Sequence, residues 1–216
     1  MPAIIESVNI GAIRTVQYNG KAITTGIFKA PVDGRIAVRG VNVDGDDQAD
    51  RKVHGGPDQA VYGYASEDYA WWANELARNM TPAQFGENLT TRGIDINEAL
   101  IGERWRIGTT LLQVTSPRIP CYKLAMKMDD PNFIKRFSAA LRPGAYFAIV
   151  QEGAVEKGDE VEVVSRPPHG LSIKKMMRIY LFERERASEM LVPDLPESWR
   201  LWAEKHQTSA TIKQSI

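Results

Sequence analysis

From the amino terminus to about residue 170 the chain is broken into short runs rich in Ile, Val and Thr, separated by turn residues. Ala3–Ile10, Ile13–Tyr18, Lys21–Thr25 and Arg35–Val38 are such runs, and Gly11, Asn19-Gly20 and Asp33-Gly34 punctuate them. Asn-Gly and Asp-Gly supply the positive φ angles that tight hairpins need, so these runs read as strands joined by turns. Ala60–Tyr64, Asn88–Thr91, Arg104–Ile107, Thr110–Thr115, Tyr146–Val150 and Glu160–Ser165 continue the series. Many short strands at this spacing predict a mostly β fold with some helix (α+β), its sheet a closed or nearly closed barrel that leaves no exposed edges.

Two helices are expected within this region. Ser66 caps one that runs to about Asn79 with Tyr69, Trp72 and Leu76 on one face, and Pro131 opens another carrying Phe133, Ile134, Phe137 and Leu141. After Arg166-Pro167-Pro168-His169-Gly170 the texture becomes helical, with Ile173–Arg184, Arg186–Leu191 and Glu197–Lys205 as three short helices. The expected organisation is a β-barrel domain over 1–170, a small three-helix appendage over 171–206, and a polar, frayed tail over 207–216.

Charge and apolar runs exclude several functions. Lys and Arg number 27, as do Asp and Glu, so a polyanion such as nucleic acid is not an expected partner. No apolar run approaches the roughly 18 residues of a membrane span, and the start of the chain lacks the pattern of a signal peptide, so a cytoplasmic protein is expected. Cys121 is the single cysteine, which rules out an intrachain disulfide and any Cys-rich zinc or iron–sulfur site.

Four segments hold more Gly, Pro and polar residues than a sheet needs. Asp44-Gly45-Asp46-Asp47-Gln48-Ala49-Asp50 lacks the spacing of a calcium loop and reads as solvated. Arg51-Lys52-Val53-His54-Gly55-Gly56-Pro57-Asp58 combines two glycines, whose amides can approach an anion, with cations and a titratable imidazole. Phe85-Gly86-Glu87-Asn88-Leu89-Thr90 offers Asn88 and Thr90 to a polar heterocycle edge, or is simply a strand entry. In Ser116-Pro117-Arg118-Ile119-Pro120-Cys121-Tyr122-Lys123 two prolines stiffen the approach to the thiol, and Arg118 and Lys123 favour its thiolate. A thiolate so placed is either a soft metal ligand or a nucleophile.

Taken together and in order, Gly45-Asp46, Gln48-Ala49-Asp50, Lys52-Val53-His54-Gly55-Gly56-Pro57-Asp58, Phe85-Gly86-Glu87-Asn88-Leu89 and Pro117-Arg118 to Pro120-Cys121-Tyr122-Lys123 resemble the MOSC domain, named for the C-terminus of molybdenum cofactor sulfurases. Within that family the chain is similar to the stand-alone bacterial branch, the YiiM-type proteins. The resemblance implies a barrel-like fold that holds a molybdenum–molybdopterin cofactor. Cys121 matches the cysteine that ligates molybdenum in the related amidoxime-reducing enzymes, and the segments around His54 and Asn88 match those expected to line the cofactor pocket. It further implies reduction of N-hydroxylated bases, typified by 6-N-hydroxylaminopurine, to amines.

Such a reaction consumes two electrons and two protons, which no side chain stores. Lys52, Gly55, Gly56, Arg118 and Lys123 are the residues expected to meet the anionic cofactor, and His54 or Asp58 to relay a proton. The chain holds no Gly-x-Gly-x-x-Gly and no pyridoxal phosphate site is expected, so electrons would come from a partner, expected to be a flavoprotein. A homodimer is allowed for. Two other readings compete: a non-catalytic carrier of cofactor or persulfide sulfur, and a thiol hydrolase pairing Cys121 with His54, oriented by Asp58 or Asn88.

Overall fold

The computed structural model describes residues 2–49 and 55–213, with side chains through Gln207. The strands are β1 (Ile4–Ile10), β2 (Arg14–Tyr18), β3 (Lys21–Thr25), β4 (Ala30–Val32), β5 (Ile36–Arg39), β6 (Asn42–Val43), β7 (Val61–Ala65), β8 (Leu89–Arg92), β9 (Arg104–Ile107), β10 (Thr110–Pro117), β11 (Ala145–Gln151), β12 (Gly153–Val155) and β13 (Val161–Ser165). The helices are α1 (Ser66–Leu76), α2 (Tyr122–Met128), α3 (Phe133–Ala140), α4 (Ile173–Phe182) and α5 (Glu197–Lys213), with a 3₁₀ stretch Arg184–Met190 between the last two.

Eight strands form one sheet in the order β13-β9-β10-β11-β7-β8-β1-β4. The expected barrel is corrected here, because this sheet is open. One end is β4, three residues long and carrying Pro31, which cannot donate to a further ladder. The start of β1 does reach the chain just before β13, where Val161 N donates to Ala3 O at 2.8 Å and Ile5 N to Asp159 O at 2.8 Å, but the contact is a single bridge and not a ladder. β12-β5-β6 form a separate small sheet. β2 and β3 pair only with each other, around a turn in which Asn19 and Gly20 both take positive φ.

Neighbouring strands are antiparallel except β7 and β8. Their parallel pairing requires a crossover, and α1 provides it. Ser66 is the first residue of α1, not its cap, and Ala65 precedes it without a side-chain bond. Pro131 lies in the turn ahead of α3, whose cap is Asn132. α2 is a helix where sequence reading expected loop; Leu124, Ala125 and Met128 bury its inner face.

Two apolar clusters result. The larger spans the sheet with Ile5, Val61, Trp105, Ile107, Leu112 and Phe147, and includes Ile173, Met176, Ile179, Met190, Val192 and Leu195 from the carboxy-terminal helical region. The smaller gathers Tyr64, Trp72, Phe85, Leu124, Phe133, Phe137 and Met177 beneath α1, α2 and α3. Tyr64 and Phe85 stack there with centroids 4.3 Å apart.

Candidate functional site

Three adjacent strands set the floor of the site. Their register places Tyr62 of β7 opposite Tyr146 of β11, and Tyr146 opposite Ser116 of β10. Directly opposed residues share a sheet face, so the Tyr62 and Tyr146 rings meet with centroids 5.1 Å apart. β10 then ends, and within a few residues the chain presents Arg118 and turns into α2 with Cys121 as its cap residue.

Around this floor is a cleft of about 650 Å³, counting the part open to solvent. Cys121, Arg118 and Lys123 line it from the segment that follows β10, Gly86 and Asn88 from the segment before β8, and Gly55 and Gln59 from the glycine loop. Thr25, Gly26, Ile27 and Lys29 enter from the far end of the β2–β3 hairpin, and Asp47, Gln48 and Ala49 from the acidic segment. Segments distant in sequence therefore converge on one thiol.

Cys121 is half-buried. Arg118 is nearly fully buried, donates to the carbonyl of Phe85, and holds its guanidinium 5.2 Å from the Tyr62 ring centroid. It interacts electrostatically with Cys121 and with Tyr146. A buried cation beside a cap-position thiol favours the thiolate.

The other expected site residues take varied places. Asn88 reaches the cleft, but its amide is used within the fold: Oδ1 accepts from Tyr62 N at 3.1 Å, and Nδ2 donates to Asp46 Oδ2 at 2.9 Å and to Asn9 O at 3.3 Å. Thr90, weighed with it as a reader of a heterocycle edge, is buried and donates to Glu87 Oε1 at 2.8 Å. Gly55 has φ +119°, and a Cβ there would stand 1.8 Å from Gln48 Oε1. Its amide, offered by sequence to an anion, donates to Gln59 Oε1 at 3.1 Å. Gly56 and Asp58 do not line the cleft. Asp58 is exposed on the turn, and its carbonyl accepts from Thr115 Oγ1 at 2.6 Å. Lys52 and His54 lie outside the described residues.

Sequence reading missed Lys29, Asp46, Tyr62 and Tyr146. Asp46, expected in a solvated loop, has a fully buried side chain that accepts from Lys29, from Gly11 N at 2.9 Å and from Asn88. Burial pushes the Lys29 amine below its usual range while Asp46 opposes the shift. Glu87 is also buried; one oxygen accepts from Tyr69 Oη at 2.6 Å, Ala83 N at 2.7 Å and Thr90. Among the described residues no group of three or more His, Cys, Asp and Glu could hold a metal ion. A lone soft thiolate among Arg118, Lys29 and Lys123 suits a metal carried by an anionic ligand, so the residues present fit such a group.

The chain is thus an open mixed sheet with helices on it and a cysteine-lined cleft at its strand ends. The sequence profile of the MOSC domain matches residues 50–162, and the chain belongs to the MOSC domain family, which is associated with the molybdenum cofactor. Among relatives, it is 37% identical over 198 residues to YflK of Bacillus subtilis (strain 168), covering 90% of each chain. It is 37% identical over 144 residues to YiiM of Escherichia coli (strain K12), covering 65% of this chain and 64% of that one. It is 30% identical over 182 residues to a Gibberella moniliformis protein named a reductase, covering 82% of this chain but only 32% of that protein. The crystal structure of YiiM from Geobacillus stearothermophilus superposes with a TM-score of 0.79 at 32% identity, covering 95% of this chain and 99% of that one. Among the described residues no helix is long and apolar enough to cross a membrane.

Proposed function

We propose that this chain is a molybdenum-cofactor-dependent reductase that converts N-hydroxylated bases to amines and water, with Cys121 as the protein ligand to molybdenum. The observation that carries this reading is the half-buried thiol of Cys121 in a cleft shared with Arg118, Lys29 and Lys123. The relatives named YiiM, and the Gibberella protein named a reductase over part of its length, support it.

When bound, the cofactor supplies the electron pair that breaks the N–O bond. The chain's own residues do the rest. Cys121 holds the metal as thiolate. Arg118, fixed by Phe85 O and the Tyr62 ring, keeps positive potential at the thiol and beside the anionic cofactor. Lys123 extends that potential along the cleft wall, whereas Lys29 is paired with Asp46. The proton relay is assigned to His54 or Asp58. Electrons reach the site from a separate protein, of the flavoprotein class, and the substrate is a small molecule.

Expression in a host that makes the cofactor tests the reading. The wild-type protein should carry close to one molybdenum with pterin per chain and reduce a hydroxylaminopurine with a chemical electron donor. Cys121→Ala should lose turnover by at least a hundredfold with an unchanged circular dichroism spectrum. Full turnover in that variant sinks the reading. Molybdenum or cyanide-releasable sulfur without turnover in the wild type replaces it with the carrier function.

A further inference from the structure

Four buried or half-buried tyrosines cluster beside the cleft, and three have their hydroxyls committed to the protein. Tyr62 Oη donates to Pro143 O at 2.7 Å, Tyr64 Oη to Arg142 O at 3.0 Å, and Tyr69 Oη to Glu87 Oε1 at 2.6 Å. A tyrosine taken out of water ordinarily finds such a partner. Tyr146 differs from them in lining the cleft while being only half-buried.

Its ring is nevertheless held firmly. The β11–β7 register sets it against Tyr62, and Tyr62 is pinned at its own hydroxyl and bordered by the Arg118 guanidinium. Tyr146 also lies close enough to Cys121 for the two to interact electrostatically. A rigid ring beside the Cys121 sulfur costs little entropy when a flat ligand settles on it.

We infer that Tyr146, braced by Tyr62 and Arg118, is a stacking platform that holds a planar nitrogen heterocycle beside Cys121. The inference rests on the function proposed above for its choice of ligands. That function brings two heterocycles to the cleft, the pterin of the cofactor and the base of the substrate, and both are flat fused rings with hydrogen-bonding edges. Stacking gives an aromatic side chain at this register position a role.

Binding to the cofactor-free protein separates the two sources without relying on turnover. The probes are a simple pterin and 2-aminopurine, whose fluorescence is quenched when they stack. We expect one of the two to bind the wild type, and Tyr146→Leu to weaken it about tenfold or more. Tyr146→Phe, which keeps the ring, should stay within threefold. Weakening of the pterin alone assigns the platform to the cofactor, and weakening of 2-aminopurine alone assigns it to the substrate. Tyr146→Met serves as the ringless variant should the leucine chain fail to fold. The platform is overturned if neither probe binds the wild type, if the ringless variant binds as the wild type does, or if the phenylalanine variant loses binding too. Absence of molybdenum from protein that binds a probe through Tyr146 defeats the proposed function and leaves the platform standing.

Discussion

At the scale of single residues, the site was legible where chemistry is local and hidden where it arrives from elsewhere in the chain. Cys121, Arg118 and Lys123 stand within six residues, and their types alone indicate an activated thiol in a stiff loop. Lys29, Tyr62 and Tyr146 reach the same cleft from separate strands. Periodicity tells which face of a strand a side chain takes, not which partner strand lies beside it. Asp46 misled for a related reason: a run of carboxylates reads as solvated, and only the fold reveals Lys29 and two further donors around one of them. Lys127 is another cation whose role no motif announces. It donates to Ile27 O at 2.7 Å and to Ala83 O, joining α2 to two loops at the cleft wall, and burial pulls its amine down from 10.5 to about 7. Glu87 opposes that shift, whereas Arg118, Lys29 and Arg14 add to it. Between pH about 7 and 10.5 the unfolded chain therefore binds more protons at this position than the folded one. Stability gained from Lys127 rises with pH through that window and is lost as pH falls towards 7. Urea unfolding of wild type and Lys127→Met at pH 7 and pH 9 should show the wild type gaining relative to the variant at the higher pH. An unchanged difference counts against the assignment.

At the scale of elements, the strands were the readable part. Alternation and turn residues located β1, β2, β3 and β5 and the strands from β7 to β13, apart from the short β12, within a residue or two at most ends. The short β4 and β6 escaped because three and two residues carry no alternation. α2 escaped for another reason. The prolines ahead of Cys121 and the cations around it read as loop, although Leu124, Ala125 and Met128 are good helix formers that share one face. The cleft wall that Lys127 joins to α2 is made by two loops in close contact, and Gly86 is the point of contact. It has φ +75°, and a Cβ there would stand 2.8 Å from Ile27 Cγ1 and 3.1 Å from Ile27 O. Gly86→Ala should cost about 1–2 kcal/mol for the left-handed backbone alone, with a further cost as Ile27 shifts away. Denaturant titration measures the loss. Under the function proposed above, the variant should also retain less molybdenum than wild type after purification, because Ile27 lines the cleft. A loss well under 1 kcal/mol with full metal content would show that the two loops do not need this close approach.

At the scale of the whole molecule, sequence texture suggests a barrel with a helical appendage, and the packing ties the two regions together. Ile173, Met176, Ile179, Met190, Val192 and Leu195 belong to the same apolar cluster as Trp105, Leu112 and Phe147 of the sheet. Backbone bonds reinforce this, with Ile101 N donating to Leu171 O at 3.1 Å and Ile173 N to Ala99 O at 3.0 Å. A break in composition near residue 170 marks a change of secondary structure, and composition does not report whether the surfaces on either side are joined. Burying these six side chains is worth about 9 kcal/mol or more in area terms, which is comparable to the whole stability of an ordinary domain. Two consequences can be measured. A chain ending at residue 170 should lack a cooperative unfolding transition and should expose apolar surface to a hydrophobic dye. In the full chain, fluorescence from Trp105 in the sheet and from Trp199 and Trp202 in α5, each isolated by replacing the other tryptophans with phenylalanine, should report one shared urea midpoint. Separate midpoints, with the α5 signal lost first, would mean that the helices dock on a sheet already stable without them.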